Sequence, residues 1–249
     1  MLFRSEVISN NIANVNTTAY KRQRADFQDL LYQTQRRVGS TSSSNGTIVP
    51  AGVSLGLGVK TAAVYKITSQ GNLVATENTF DLSIQGNGYF QVQLPSGETA
   101  YTRAGSFQLG PSGDMVTSDG FKLLPGITVP TDSVQITINS SGEVLAKVDG
   151  QVTEQNLGTI ELANFPNPAG LQSTGGNLLL ETPASGKAKT GNPGTPGFGT
   201  MLQGFLETSN VNVVQEITNL ITAQRAYEMN SKVIQASDEM MSQINQIRT

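Results

Sequence analysis

The chain has 249 residues, a formal net charge of −3, and no Cys, His or Trp. These absences exclude zinc sites built on Cys or His, disulfide bridges, and catalysis by Ser-His-Asp or Cys-His groups. The slight negative charge argues against nucleic-acid binding through overall charge, and 26 Gly with only 14% charged residues is typical of turn-rich β structure.

The N-terminal segment, residues 1–38, is predicted to form two helical pieces. Apolar residues three or four apart predict a first helix from Met1 to Val15 and a second from Phe27 to Val38. Short polar side chains at 14–18 compete for backbone hydrogen bonds and end the first piece. The basic cluster at 21–24 is either an anion site or a solvated face balanced by nearby Asp residues, and the second interpretation is favoured.

Residues 39–70 are predicted to form an extended arm. Residues 40–46 have the composition of a flexible connector, and beyond them apolar residues alternate with Gly or small polar residues. Such a segment can lie as a strand against a neighbouring subunit. A disordered loop is the alternative, because glycines weaken a strand. The arm residues predicted to make this contact are Pro50, Gly52, Val53, Leu55, Gly56, Leu57, Gly58 and Val59.

Residues 71–182 are predicted to form an antiparallel all-β domain. Short alternating runs are separated by turn signals such as Gly86-Asn87-Gly88 and Pro95-Ser96-Gly97. Asp114 and Asp119 could be considered a glycosidase pair, but both lie in glycine turns where Asp is favoured for backbone reasons. We therefore predict no catalytic, cofactor-binding or metal-binding residue, and no enzyme.

Residues 183–204 are rich in Gly and Pro and predict a return linker. Residues 205–249 predict a long C-terminal helix, which measures about 60 Å from its predicted N-cap at Ser209 or Asn210. Its apolar stripes are flanked by uncharged amides, which indicates contact with several neighbours. The predicted fold is α+β: long N- and C-terminal helices packed as a coiled-coil layer, with an inserted antiparallel β domain and extended linkers. A chain built in this way suits a polymer subunit. The predicted assembly interface comprises Ile8, Asn10, Asn11, Ile12, Asn14, Val15, Val213, Ile217, Leu220, Gln224, Tyr227, Asn230, Ile234, Met241 and Ile244.

Several stretches resemble the flagellar axial proteins, which comprise rod, hook and hook–filament junction proteins. The matching stretches are Ser9–Thr18 with Tyr20-Lys21, Phe80–Phe90, Gly204–Asn212, and Gln224–Glu228 with Asn230–Lys232. The segment from Pro50 to Val59 is similar to the one that marks distal rod members and that hook members usually lack. Ala19 stands where the family usually has Gly, and Ala disfavours the left-handed turn that Gly allows. Relatives also carry further helical turns before the position of Met1.

The resemblance implies a structural subunit of the distal rod that self-assembles into a helical tube and transmits torque, with the arm at 50–59 stiffening the rod. It implies contacts with copies of the same chain, proximal rod and hook proteins, the surrounding P- and L-rings, and the flagellar type III export apparatus. It also implies a periplasmic location reached without a cleavable signal peptide, no membrane insertion and no nucleic acid. The alternatives are a proximal rod or hook subunit, or a carbohydrate-binding β domain on a coiled coil.

Overall fold

The computed structural model describes residues 2–39, 51–150 and 153–247. In these ranges the chain forms two α-helices, one short 3-10 helix and twenty β-strands. The helices are α1 (Leu2–Ala13), the 3-10 helix (Pro168–Gly170) and α2 (Val213–Ile247). The strands are β1 (Gln23–Asp29), β2 (Tyr32–Arg36), β3 (Val53–Gly56), β4 (Val59–Lys66), β5 (Leu73–Ala75), β6 (Leu82–Gln85), β7 (Tyr89–Gln93), β8 (Thr99–Thr102), β9 (Phe107–Leu109), β10 (Met115–Thr117), β11 (Lys122–Leu123), β12 (Ser133–Ile138), β13 (Glu143–Val148), β14 (Gln155–Thr159), β15 (Leu162–Asn164), β16 (Gln172–Gly175), β17 (Leu178–Leu180), β18 (Lys189–Gly191), β19 (Thr200–Gln203) and β20 (Phe205–Glu207).

The largest sheet has nine strands and is antiparallel throughout. Its main order is β16-β17-β8-β7-β11-β10-β9, and β15 pairs with both β7 and β18. A three-stranded sheet, β12-β13-β14, and two small pairs, β19-β6 and β20-β5, complete the β structure outside residues 23–66. Strands β18, β19 and β20 lie in or just after the segment predicted to be a return linker, so much of that segment belongs to the sheets.

The main apolar core lies among these strands. Phe90 and Phe107 are fully buried, and their rings meet edge to face with centroids 5.1 Å apart. Four of the five residues of β7 are buried, because neighbouring elements cover both faces of this strand. The remaining buried members of the core are Leu82, Ile84, Val92, Ala100, Met115, Leu123, Ile127, Ile138, Val144, Ile160, Leu162, Leu178 and Met201.

Residues 23–36, which contain β1 and β2, run antiparallel to residues 53–66, which contain β3 and β4. Together they form a long two-stranded structure, which we call the ribbon. Strand β1 pairs with β4, and β2 pairs with β3. Two hydrogen bonds join these pairs: Leu30 N–H donates to Gly58 O at 2.9 Å, and Leu57 N–H donates to Leu31 O at 3.2 Å. At about 3.3 Å per residue, the ribbon is about 45 Å long. Many of its apolar side chains are exposed.

The predicted second helix, from Phe27 to Val38, is wrong because β1 and β2 occupy most of this segment. Its apolar spacing fits a helix, but pairing with residues 53–66 uses the backbone groups of 23–36 in a ladder instead. Tertiary pairing overrides a weak local preference of this kind. The arm residues from Val53 onward are accordingly strands paired within the chain.

The predicted fold class is also wrong. Only two α-helices occur in the described residues, and most of the remaining regular structure is β-sheet. α1 has 12 residues, or about 18 Å, and packs against α2, which has 35 residues, or about 52 Å. α2 begins at Val213 rather than at residue 205, because residues 205–207 pair with β5. The described residues therefore form one long C-terminal helix and one short N-terminal helix rather than a layer of long helices from both ends.

Candidate functional site

The two ends of the chain meet the β structure in a buried polar cluster, which we call the terminal junction. It joins side chains from α1, the segment between α1 and β1, the position directly after β8, β20, the segment before α2, and α2 itself. Its central members are Asn11, Lys21, Arg22, Arg103, Glu207, Asn210 and Glu216.

Glu207 is the centre of the junction, and its side chain is 1% exposed. Its Oε1 accepts hydrogen bonds from Lys21 Nζ and from Gly71 N–H, the latter at 2.8 Å. Its Oε2 accepts from Arg103 Nε at 2.7 Å. Two cations and one backbone amide therefore surround a single buried carboxylate.

Electrostatics keep this carboxylate ionised. Burial alone would raise the pKa of Glu207, but the charge of Arg103 and hydrogen bonds from Arg103, Lys21 and Gly71 hold it below its ordinary value. Burial, helped by the charge of Arg103, holds the pKa of the Lys21 ammonium below its ordinary value despite the pairing with Glu207. Lys21 and Arg103, which burial removes from solvent, are therefore stabilised by the negative charge of Glu207.

Arg103 links the same carboxylate to the β domain. Its guanidinium also donates to three carbonyl oxygens: Gly88 O at 2.6 Å, Ile84 O at 2.8 Å and Gly86 O at 2.6 Å. These carbonyls belong to β6 and the turn that follows it. The fork of N–H donors fits several acceptors at once, a geometry that Lys cannot reproduce.

A second ion pair joins the start of α2 to the N-terminal segment. Arg22 Nη2 lies 2.7 Å from Glu216 Oε1, and the Glu216 side chain is 1% exposed. Asn11 Nδ2 donates to Glu216 Oε2 at 3.1 Å and to Gln23 O at 2.9 Å, while Asn11 Oδ1 accepts from Gln23 N–H at 2.8 Å. The Asn11 amide therefore connects α1, β1 and α2.

The turn after α1 is fixed by backbone contacts. Ala19 has a left-handed φ of 57°, and its N–H donates to Glu207 O at 2.7 Å. The sequence predicted that Ala would disfavour this conformation, yet the turn is left-handed because the neighbouring strand and the junction impose it. Asn210 is a further connection, since its Oδ1 accepts from Arg22 N–H and its Nδ2 donates to Ile67 O and Ser69 O.

These contacts change the interpretation of the basic cluster at 21–24. Lys21 and Arg22 pair with acidic residues some 190 positions away in the C-terminal part of the chain. Only Arg24 pairs locally, with Asp26 at 3.1 Å. The side chains of Lys21 and Arg22 therefore form neither an anion site nor a solvated basic face. The signal that could have revealed them is the pair of acids near the start of the C-terminal helix, Glu207 and Glu216.

The predicted N-terminal interface residues lie largely within the subunit. Ile8 and Asn11 are buried, and Ile12, Asn14 and Val15 are half-buried. Asn10 is exposed, although its Oδ1 accepts a hydrogen bond from Tyr20 Oη at 2.8 Å. Most of these side chains therefore pack inside the chain.

The predicted C-terminal interface residues are mostly accessible. Leu220 is half-buried where α1 covers α2, and Glu216 and Ala223 on the same side are buried. From position 227 onward every described side chain of α2 is exposed. The other predicted residues, all exposed, are Val213, Ile217, Gln224, Tyr227, Asn230, Ile234, Met241 and Ile244. Exposed apolar side chains therefore occur along most of the length of α2.

The ribbon presents a second exposed apolar surface. Leu31, Leu55 and Leu57 share one face by strand alternation and register, and they are 83%, 52% and 61% exposed. The opposite face carries the exposed ring of Tyr32 beside small residues, and there a Cβ on Gly56 would lie 3.3 Å from that ring.

Among the other predicted arm residues, Val53 and Val59 are exposed, as is Gly58, while Gly52 is half-buried. Gly52 packs so tightly that a Cβ there would lie 2.6 Å from Arg36 O. Pro50 lies outside the described residues.

Asp114, one of the two carboxylates considered for catalysis, is held in place by neighbouring side chains. Asp114 accepts hydrogen bonds from Ser112 and Thr128, and its Oδ2 lies 2.6 Å from Lys122 Nζ. Hydrogen bonds from Lys122, Thr128 and Ser112 lower the pKa of Asp114 to about 2. A carboxyl with so low a pKa is poorly suited to act as a general acid at neutral pH.

In the described part of the chain neither helix is long and apolar enough to cross a membrane.

Three family descriptions match the chain, and each belongs to a flagellar axial protein. "Flagella basal body rod protein" matches residues 4–21, and "Flagellar hook protein FlgE/F/G D1 domain" matches residues 83–146. "Flagellar basal body rod FlgEFG protein C-terminal" matches residues 202–247. The first and third matches include the two ends that meet in the terminal junction.

Proteins of similar sequence share the same name across distant bacteria. The chain is 58% identical to the flagellar basal-body rod protein FlgG of Caulobacter vibrioides over 244 residues, which is 98% of this chain and 93% of that protein. It is 52% identical to FlgG of Agrobacterium fabrum over 95% of this chain and 90% of that protein. It is 40% identical to FlgG of Bacillus subtilis over 96% of this chain and 91% of that protein.

Proposed function

The chain belongs to the family of flagellar basal-body rod proteins and is a structural subunit of that rod, and from this premise we propose how the subunit works. It occupies the distal rod and self-assembles into a helical tube that transmits torque from motor to hook. The observation that carries this proposal is the exposed apolar surface of α2 beyond Ala226. A helical segment of some twenty residues without a partner is marginal in water, so neighbouring copies cover it in the polymer.

Burial of these side chains supplies the free energy of assembly. The exposed fractions of Val233, Ile234, Met240, Met241 and Ile244 lie between 58% and 67%. Complete burial of such a side chain contributes about 1.5 to 3 kcal/mol, so covering the exposed part of each contributes about 1 to 2 kcal/mol. Five such side chains together contribute about 5 to 10 kcal/mol, which is of the same order as the cost of losing subunit freedom on association.

The terminal junction gives the subunit the stiffness that torque transmission requires. In the proposed tube, force on α2 passes to the β domain through residues 208–212 and through the contacts of Glu207 and Glu216. The Glu207–Arg103 contact connects the segment before α2 to the β6 turn. Because these groups are buried and have several partners each, a relative rotation of the two parts breaks charged hydrogen bonds, which are the stronger kind.

The ribbon is the proposed stiffening element of the rod. Val53, Leu55, Leu57 and Val59 contact a neighbouring subunit and oppose sliding between subunits. Exposed apolar side chains along the ribbon support this role. A two-stranded ribbon is marginal by itself and gains stability when a surface covers its apolar face.

The position in the cell follows from the family membership of the subunit. We propose export by the flagellar type III apparatus without a cleavable signal peptide, and assembly in the periplasm. The polymer there meets proximal rod proteins at one end and hook protein at the other, inside the P- and L-rings. It inserts into no membrane, binds no nucleic acid, and has no catalytic activity or cofactor.

The assembly role of α2 is tested by Ile234→Asp. A buried, unpaired carboxylate costs several kcal/mol, and a loss of about 3 kcal/mol raises the critical concentration for polymerisation more than about hundredfold. Polymer is measured by sedimentation and electron microscopy of the purified protein, with circular dichroism to show that the monomer is folded. The control is Gln235→Asp, which adds the same charge at the next position, on a different face of α2. Equal polymer from both variants contradicts the proposal.

The ribbon is tested by the double substitution Leu55→Ser with Leu57→Ser. We expect tubes that still form but are flexible or curved, because the apolar contact between ribbons and neighbours is lost. The control is Ser54→Ala, a substitution on the opposite ribbon face, which should leave tubes straight. Curvature and persistence length are measured on electron micrographs. Straight, rigid tubes from the double variant would show that the ribbon is not the stiffening element.

A further inference from the structure

A cavity of about 140 Å³ lies between the base of the ribbon and the nine-stranded sheet. Lys66, the last residue of β4, and Gln23, its partner on β1, line one side of it. Tyr89 of β7 and Leu179 of β17 line the other side, and the 3-10 helix contributes to the wall. None of the described side chains in this lining is a carboxylate. The cavity is therefore a partly enclosed space with cations, and no described acid, in its wall.

Among the cations that line the cavity, Lys66 is the one without a described partner. It is half-buried, and within the described ranges its ammonium makes no hydrogen bond or ion pair. Burial lowers the pKa of this ammonium, and no charge among the described residues raises it again. Lysine is seldom removed from solvent without a partner, because desolvation disfavours its charged form. An unpaired cation of this kind in a cavity indicates a binding site.

The terminal junction adds positive charge to the same cavity. Lys21 and Arg103 also line it, and they share the single carboxylate of Glu207. Two cations against one anion leave a net positive charge, and Lys66 adds another. Burial raises the pKa of the Tyr89 hydroxyl in this lining, so it stays protonated and able to donate a hydrogen bond. The lining can thus attract a negative charge and bind it.

We propose that this cavity binds a carboxylate, with Lys66 as its counter-ion. A hydrogen bond from an ammonium to a carboxylate is of the strong, charge-assisted kind. The volume of about 140 Å³ corresponds to about five water molecules at about 30 Å³ each. Propionate, the analogue of a Glu side chain, is of this size, and the walls at Leu171 and Leu179 suit its short aliphatic part. The carboxylate is either free in solution or part of a side chain on a neighbouring copy.

The site is tested by NMR titration of the ¹⁵N-labelled monomer with sodium propionate at constant ionic strength. The amide signals of Lys66, Tyr89 and Leu179 should shift and saturate, with a dissociation constant on the order of 1 to 10 mM for so small a ligand. Propionamide, which has the same shape without the charge, should give no saturable shift. Lys66→Met should weaken propionate binding at least about tenfold. Lys60→Met, which changes an exposed lysine on the same strand, is the control and should leave binding unchanged.

The absence of a saturable shift with propionate, or equal binding by Lys66→Met, overturns the proposal and leaves a hydrated cavity. The melting temperature of the monomer is a second readout. Met keeps the unbranched stem of Lys66 and removes its unpaired charge, so Lys66→Met should melt no lower than Lys60→Met. A melting temperature clearly below that of Lys60→Met would show that the ammonium is already paired within the chain, which also overturns the site.

Polymerisation distinguishes the two sources of the carboxylate, and this arm alone rests on the proposed function. If a side chain of a neighbouring copy fills the cavity, propionate should raise the critical concentration of the unmodified chain and propionamide should not. Lys66→Met should then raise it without any added ligand. If the carboxylate is free, the critical concentration is the same in all these samples. Both results keep the site and assign its occupant. Absence of polymer from the unmodified chain overturns the proposed function, while the NMR titration still decides the site.

Discussion

Replacement of Glu207 by Ala tests whether the terminal junction joins the ends of the chain to the β domain. The substitution leaves Lys21 and Arg103 buried without their shared carboxylate, while Gly71 N–H loses its acceptor. Breaking a buried ion pair in this way costs about 3 to 5 kcal/mol. Arg103 keeps three carbonyl acceptors, so we expect the lower part of that range, about 3 to 4 kcal/mol.

The assay is denaturant and thermal unfolding of the monomer, followed by circular dichroism at a concentration below that needed for polymerisation. For a chain of this size, a loss of about 3 to 4 kcal/mol lowers the midpoint of thermal unfolding by about 6 to 16 °C. The control is Lys122→Met, which removes the exposed ion pair with Asp114. Because the Lys122 side chain is 56% exposed, this pair should contribute much less than the buried pairs of Glu207. A loss below about 1 kcal/mol for Glu207→Ala, or one equal to the control, would refute the structural role of the junction.

Three further predictions concern the same region. The pKa of Glu207 lies below its ordinary value of 4.5, so the stability that its charge gives the fold is complete above pH 4.5 and is lost as the pH falls through the folded-state pKa. The unfolding free energy should therefore drop on acidification, and it should drop by less in Glu207→Gln. Gly71→Ala should strongly destabilise the chain because its Cβ would lie 2.0 Å from a backbone carbonyl oxygen, whereas Gly110→Ala, with its nearest contact at 3.5 Å, should change the melting temperature little. Asn11→Ala should cost about 1 to 3 kcal/mol in denaturant unfolding because it leaves Gln23 N–H and O without their buried partner, and a neutral result would contradict its connecting role.

The sequence alone indicated the exposed face of α2 and the turn-rich β structure because both depend on local patterns. The stretch from Val213 onward has helical periodicity without Gly or Pro, so no distant contact is needed to infer a helix. The alternating runs between turn signals likewise depend on neighbours a few residues apart. Family resemblance, carried by motifs at both ends of the chain, supplied the function.

Other features depend on contacts that a local pattern cannot show. The segment from Phe27 to Val38 has helical spacing, but its strands form through pairing with residues some thirty positions later. Lys21 and Arg22 resemble a solvated basic cluster until Glu207 and Glu216 are brought beside them by the fold. Ala19 adopts a left-handed turn that its side chain disfavours, because the surrounding contacts fix the backbone there.

Hydrogen exchange of the α2 amides tests most directly whether subunits assemble through this helix. In the monomer, amides of residues 227–247 should exchange quickly, because every described side chain there is exposed. The amides of β7 in the core should exchange slowly and serve as the internal reference. In the polymer, exchange over 227–247 should slow by at least about tenfold while β7 is unchanged. Equally fast exchange over 227–247 in monomer and polymer would contradict assembly through α2.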